Sequence, residues 1–483
     1  MIPLGSFSPD LPAVRGPLLT DAKNVIPHAQ GYKPFKTLTN GSNALPLVPQ
    51  GAVGMRDGDL TSHIYVGDAT DLYELNTDGS WEDRSRTTGG DYNTTTNEVW
   101  NFAQFGDFCV ATNWADDIQY IDMTSGTDFA ALSGSPPTCR HLATFEDFLF
   151  LGNTVNSAQQ VVWSAINDIT GWTAGTDQSG AQTFPDGGAV QGFAVHDTLT
   201  IFQRYKIRRC QYVGPPVIMQ FDVISEEKGA LVDGSICSQG AESFFLANDG
   251  FYMLLGDQLT GIGANKVDLW FFNDVNQEYL HKMTSEVDPQ SQVAYWTYAS
   301  TSSSDGTPDT VLMYNWTSKR WAYARLEVHT LVNVYGLGYT LDGLDTLTTN
   351  IDNFSIPLDD PVLTGGTLSL NGIGSTYQIG PFSGDALEAT LVSGDFELIK
   401  GKRTYVSGVE PVVDNTAATI AVAAKDRLGS TVSFDTAMSQ EANGFTSQDA
   451  TGRYHRFRLV IPAAETWTDV SALNLMLARD GET

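Results

Sequence analysis

Basic residues are scarce in this chain. Of its 483 residues, 27 are Lys or Arg and 57 are Asp or Glu, a formal charge of −30. Charged residues make up only 17% of the total, below the roughly 25% of an average soluble protein. The acidity therefore reflects missing bases rather than charge-rich tracts. A protein that binds nucleic acid by neutralising phosphates needs a basic footprint, and the chain as a whole has the opposite. Cysteine is also rare, at four residues: Cys109, Cys139, Cys210 and Cys237. None form a CxxC pair, and each lies in or beside an apolar stretch. Buried free thiols and folding in a reducing compartment are expected. No apolar run approaches the roughly 18 residues that span a bilayer. The N-terminus has no basic region and its apolar residues are interrupted by proline, so no secretory leader is expected.

Apolar residues reach 41% and aromatics 11%, enough to build cores. The length allows about two to four domains. The charge is unevenly placed. Residues 1–50 hold four bases and two acids, and residues 398–483 hold nine bases and ten acids. The block 51–397 holds 14 bases and 45 acids, a charge of −31. An acidic middle lies between two near-neutral ends.

Residues 1–50 carry eight of the twenty prolines and little periodicity. They read as an extended arm, anchored by Phe7, Leu11, Val14, Leu18, Leu19, Tyr32 and Phe35, that wraps its own domain or a neighbouring subunit. From residue 51, short alternating apolar runs are separated by Gly, Asp, Asn and Ser, the grammar of strands and turns. FAQFGDFCVATN (102–113), LATFEDFLFLGN (142–153) and GFAVHDTLTIFQ (192–203) repeat one pattern: strand, turn with a central acid, strand. Asp57 and Glu242 mark an earlier and a later copy. The steps between Asp57, Asp107, Asp147, Asp197 and Glu242 are 50, 40, 50 and 45 residues. That period is the signature of β-propeller blades, about five to seven of them here. The acids suit tight turns better than catalysis, because Asp caps its own backbone. Residues 311–327 predict a hairpin, with Trp316 and Trp321 packed on neighbouring blades. Residues 266–283 place Val267, Trp270, Phe271, Val275 and Tyr279 on one stripe and predict a helix. Residues 341–385 read as connecting strands or a final blade. Residues 386–483 read as a separate β-sandwich-like unit, with strands near 389–392, 405–413, 419–424, 456–461 and 473–478. The whole is an all-β protein with a propeller at about 51–340.

No catalytic signature emerges. The seven histidines form no HxH or HExxH, so zinc spacing is lacking. There is no GxSxG. Gly261–Lys266 fails the spacing of a phosphate loop. The acid pairs Asp116-Asp117, Glu226-Glu227 and Asp359-Asp360 are sequence neighbours, which on a strand point to opposite faces. Thr77–Trp81 resembles a sialidase Asp-box turn, but compressed and single, and reads as a hairpin turn with a packed Trp. No cofactor is expected. Two basic clusters stand out. Arg204, Lys206, Arg208 and Arg209 would place Arg204, Lys206 and Arg208 on one strand face. That face would bind an acidic partner or DNA, or else pair with acids such as Glu226 and Glu227. Lys400, Lys402 and Arg403, with Arg453, Arg456 and Arg458, form the second candidate for partner contact.

The block 189–327 resembles the tail nozzle, or tail tube B, proteins of short-tailed bacteriophages, also called packaged-DNA stabilisation proteins. The likeness lies in the order of AVQGFAVHDTLTIFQRYKIRRCQYVG, DGSICSQGAESFFLANDGFYMLLGDQLTGIG, KVDLWFF, VDPQSQVAYWTY and VLMYNWTSKRWAYARLE. These motifs are diffuse structural patterns with no catalytic residue to carry over. The resemblance implies a non-enzymatic virion protein of the phage tail, assembled in the host cytoplasm as a homohexameric ring. The ring would hang below the portal and the head-to-tail adaptor, carry tail fibres or spikes, and conduct genomic double-stranded DNA. Six copies at −30 each would carry −180, and a carboxylate-lined lumen would repel the duplex. The near-neutral ends and basic clusters would then make the subunit contacts. Two other readings compete: a receptor-binding, lectin-like propeller, and a propeller glycosidase acting on host surface polysaccharide.

Overall fold

The computed structural model describes residues 1–14, 16–336 and 368–479. Short apolar runs punctuated by Gly, Asp and Asn fold as antiparallel strands joined by tight turns. Five four-stranded antiparallel sheets follow one another along the chain, within residues 51–83, 101–131, 139–183, 190–225 and 237–261. A sixth set of four strands lies within 284–325. A seventh sheet has three strands, Val328–Tyr335, Leu368–Gly374 and Ile379–Pro381. These are the blades of a β-propeller, seven among the described residues. Their first strands line the axis. Asn101–Phe105 packs on Cys139–Phe145, and that strand packs on Val190–Val195. Val328–Tyr335 of the last blade packs on Gly51–Arg56 of the first and closes the ring.

The sequence repeat is the first hairpin of each blade. Asp107 sits in the turn between Asn101–Phe105 and Phe108–Thr112, and the equivalent hairpins carry Asp147 and Asp197. Asp57 shows the expected turn chemistry, whereas Asp107 reaches the neighbouring blade instead. Asp57 accepts from the amides of Asp59 and Thr61 at 3.0 and 2.8 Å. Asp107 accepts from the amide of Gly58 at 2.7 Å, which ties the second blade to the first. The hairpin Thr310–Asn315 and Arg320–Arg325 forms, and its Trp321 is fully buried against the fifth blade. Trp321 Nε1 donates to the Ile262 carbonyl at 3.1 Å, and its ring stacks on Trp296. All four cysteines are buried and free.

The arm is built into the fold at three places. Ile2–Pro3 pairs with Val470–Arg479, and Tyr32–Pro34 and Val25–Pro27 extend the same sheet. Leu18–Lys23 pairs with Ala389–Ser393 in the opposite sheet of the sandwich. Further on, the amides of Thr39, Gly41 and Leu45 donate to the carbonyls of Pro381, Ile379 and Tyr377 at 2.9, 2.8 and 2.9 Å. The arm thus runs along the outer edge of the three-stranded seventh blade. In the sandwich, Val406, Val409, Ile420, Val422, Phe457 and Leu473 share one buried core with Phe7, Leu19 and Tyr32 of the arm.

Leu18–Lys23 also pairs in parallel with Arg320–Arg325, at Lys23 and Tyr323. The sixth blade and one layer of the sandwich are therefore one ten-stranded sheet. Asn24 sits at this seam, with φ at 58°. Its side chain donates to the Glu388 carbonyl at 2.8 Å and accepts from the Arg325 amide at 2.9 Å. Its own amide donates to the Tyr323 carbonyl at 2.7 Å. Asn is among the few residues that tolerate this left-handed backbone.

The helix expected over 266–283 is two shorter pieces. An α-helix spans Asp268–Asp274, and a 3-10 helix spans Gln277–Lys282. Between them Val275 is extended and bridges to Ser300, and the Asn276 side chain caps the second piece at the Glu278 amide. The apolar stripe is consistent with either arrangement, and the bridge from Val275 to Ser300 interrupts it. The first helix has no capping side chain of its own. Asp10 of the arm supplies one, accepting from the Leu269 and Trp270 amides at 2.9 Å each.

Asn24→Ala should remove two buried hydrogen bonds and force alanine into a left-handed backbone. The expected cost is roughly 3 kcal/mol. Urea unfolding measures it; a loss under about 0.5 kcal/mol would show that the seam does not depend on this side chain.

Candidate functional site

The first basic cluster does not form a strand face. The strand begins at Ile207, so Arg204 and Lys206 lie in the turn before it, and only Arg208 and Arg209 lie on it, pointing to opposite sides. Lys206 binds Asp186 at 2.8 Å and also Glu226. Arg208 is buried, pairs with Asp186, and lies over the Phe184 ring at 4.7 Å. Arg209 binds Asp257 at 2.8 Å in the next blade, and Arg204 donates to the Leu231 carbonyl. The cluster is a set of internal pairs, as the reading with Glu226 anticipates.

The second cluster is brought together. The Phe396–His455 bridge sets the turn bearing Lys400, Lys402 and Arg403 beside the strand Tyr454–Ile461. Arg453 binds Glu397 at 2.7 Å, and Arg403 binds Asp426 at 2.6 Å. Buried Asp395 holds both Arg456, at 2.9 Å, and Lys425, at 2.8 Å. Lys400 and Lys402 are exposed. Arg458 stacks over Phe434 at 4.6 Å.

The motifs weighed for chemistry have structural partners. Asp116 holds Arg86 at 2.9 Å and the Asn93 amide at 2.9 Å. Asp78 accepts from the Ser80 amide at 2.9 Å, and Trp81 donates to the Asn43 carbonyl at 2.9 Å. Asp359-Asp360 lies outside the described residues. In the Gly261–Lys266 stretch, Gly263 makes room for a carboxylate of the same chain. A Cβ on Gly263 or Gly250 would come within 1.9 or 2.1 Å of Asp268. Burial pushes the Asp268 carboxyl up to about 6, against the Phe251 amide that it accepts at 3.1 Å. Among the described residues, no three His, Cys, Asp or Glu side chains are placed to hold a metal ion. Among them also, no helix is long and apolar enough to cross a membrane.

Among the described residues, the larger of two concave sites lies on the propeller axis. A cavity of about 780 Å³ opens on the propeller axis where the first strands of the blades begin. His141, Asp233, His281 and Glu286 line it. Burial lowers the pKa of His141 and His281 and pushes Glu286 up to about 7. Asp233 acts electrostatically on both imidazoles. Sequence reading missed this group because His141, Asp233 and the segment bearing His281 and Glu286 lie some 50 to 145 positions apart and share no motif. The one usable signal is position: His141 and Glu286 fall near the start of a blade's first strand.

Fold and site together define a β-propeller welded to a β-sandwich. No family model and no curated protein matches the chain. Among solved structures it is similar to the extracellular domain of a putative hybrid two component system from B. thetaiotaomicron. That likeness has 10% identity and a TM-score of 0.41, and covers 86% of this chain and 47% of that one. The chain thus spans about half the length of that protein. It is also similar to the Cps50 (Swd1) beta-propeller domain of Myceliophteria thermophila, at 8% identity and TM-score 0.40, covering 71% and 98% of the two chains. A chain of the Mitotic Checkpoint Complex gives 12%, 0.40, 71% and 91%. At these values the likeness concerns the fold alone, and the propeller assignment stands on the sheets themselves.

Two substitutions probe these groups. Asp395→Asn should leave Arg456 and Lys425 without their shared carboxylate and cost about 3 kcal/mol in denaturant unfolding. Asp268→Asn should act in the opposite direction. A carboxyl whose pKa is raised on folding binds more protons folded than unfolded between about pH 4 and 6, so its contribution to stability falls as pH rises through that window. The variant should therefore be more stable than the parent at pH 7, by about 1 kcal/mol after solvent screening. That gain should vanish below about pH 4. A pH-independent difference in melting temperature would contradict the assignment.

Proposed function

We propose that the chain is a structural subunit of a bacteriophage tail nozzle, without enzymatic activity, that assembles as a ring around the path of the genome. The observation that carries this reading is the internal neutralisation of its bases. Of the 14 bases in residues 51–397, eight hold a carboxylate of the same chain within 4 Å: Arg84, Arg86, Arg140, Lys206, Arg208, Arg209, Lys228 and Arg325. The 45 acids of that block greatly outnumber them, so the outward field of the propeller is negative. Such a wall repels phosphates and lets a duplex slide without adhesion.

Two further features support it. The seam between propeller and sandwich is a continuous sheet, which suits a part that transmits load rather than one that hinges. The propeller axis itself is not the conduit, because its cavity of about 780 Å³ is far smaller than any length of duplex needs. Each duplex groove alone is about 8 Å deep. The bore must then lie between subunits, and the basic edge around Lys400, Lys402 and Arg453 is the candidate for contact with an acidic neighbour or the adaptor.

Electron microscopy of the assembled protein tests the proposal. A six-fold ring with a bore of roughly 20 Å, wide enough for a duplex, is expected, with no retention of duplex DNA at low salt. A stable monomer under assembly conditions, or duplex binding that weakens steeply with salt, would count against it.

A further inference from the structure

One end of the sandwich holds nearly all of its bases. Eight of the nine Lys and Arg in residues 398–483 fall within 400–403, 425–427 and 453–458, with one acid, Asp426, among them. Side chains and backbone tie these stretches together. Arg403 binds Asp426 at 2.6 Å, and Arg453 binds Glu397 at 2.7 Å. The Arg453 amide donates to the Lys425 carbonyl at 3.1 Å. The register agrees: Thr404 pairs with Gly452 and with Arg479, and Lys425 pairs with Tyr454. The end is one built surface rather than scattered charges.

Its own carboxylates neutralise it only in part. Asp395, Glu397 and Asp426 stand against the eight bases, and all three are sandwich residues. Lys400, Lys402 and Arg427 are exposed and, among the described residues, have no carboxylate within 4 Å. Leu428, whose carbonyl accepts from Lys425 Nζ at 3.1 Å, is 47% exposed beside them.

Charge and chemistry select the occupant. A surface of one sign steers toward and fixes a partner of the other. The propeller of the same chain is such a partner, with exposed carboxylates in the first-hairpin turns of four successive blades, at Asp59, Asp107, Asp147 and Asp197. Duplex DNA would meet the same cations, but Glu397 and Asp426 stand among them, and Leu428 has no counterpart on a phosphate backbone. A folded acidic surface suits both the cations and Leu428.

We infer that this basic end of the sandwich docks on the acidic propeller of a second copy of the chain, with Lys400, Lys402 and Arg427 as the cations that the contact pairs. The inference rests on the self-assembling subunit proposed above and names the surfaces that meet.

Zero-length carbodiimide cross-linking of mixed isotopically light and heavy full chain tests it. Mixed-isotope links from Lys400 or Lys402 to an Asp or Glu of the propeller are expected. Sedimentation near 0.15 M salt, where charges are screened beyond about 8 Å, gives a second readout. Lys400→Glu with Lys402→Glu should weaken self-association about tenfold or more, with melting curves confirming the fold. Lys33→Glu with Lys36→Glu changes net charge equally on the arm, where Tyr32 meets the opposite end of Val470–Arg479, and should leave association unchanged. An assembly joined at the basic end but closed as a dimer or open as a filament would support the inference and sink the six-fold nozzle. A six-fold ring whose links all bypass Lys400 and Lys402 would do the reverse. A chain that stays monomeric, equal loss in both double variants, or duplex binding at Lys400 and Lys402 in place of self-association would each overturn the inference.

Discussion

The ten-stranded sheet that joins the sixth blade to the sandwich is the constraint on which the rest of the molecule depends. Its weak point is a single parallel contact between Lys23 and Tyr323. One residue pair is too little to hold two domains, and Asn24 reinforces it from three sides, bonding to Glu388, Arg325 and Tyr323. Around this pin, Tyr323 donates to Asp21 at 2.9 Å and Phe7 packs edge-on against Trp270. Residues some 260 to 365 positions apart are thereby fixed to one another. The entropy of closing so long a loop grows only slowly with its length, so a modest set of buried contacts suffices.

The same economy explains the arm. Its prolines and sparse periodicity exclude a compact domain, and its scattered apolar residues require cover. It meets both demands by lending strands to sheets made elsewhere in the chain and by lying along the edge of the seventh blade. Covering an edge protects backbone groups that would otherwise pair with other molecules. Asp10 extends the pattern, capping a propeller helix from the sandwich side.

Electrostatics runs through the molecule in two modes. In the propeller most bases are bound to carboxylates of the same chain, leaving the surplus acid facing outward. In the sandwich, bases gather at one edge around Asp395, Glu397 and Asp426. The axial cavity follows a third logic. There, the buried Nε2 atoms of His141 and His281 have no hydrogen-bond partner.

Local pattern by itself determined the strands, the blade repeat and the turn role of Asp57. These depend on residues a few positions apart, where period-2 alternation and Asp or Gly turn chemistry act directly. The hairpin at Trp321 and the sandwich strands were legible for the same reason. Only the tertiary structure decided the rest. The helix over 266–283 is interrupted where Val275 bridges to Ser300. Arg204, Lys206 and Arg208 left their expected common face because Asp186, Glu226 and Leu231 reached them from other segments. The seam at Asn24 and the cavity at His141, Asp233 and His281 join residues from distant parts of the chain. Which distant residues meet is settled by how whole sheets pack, and no local spacing encodes that.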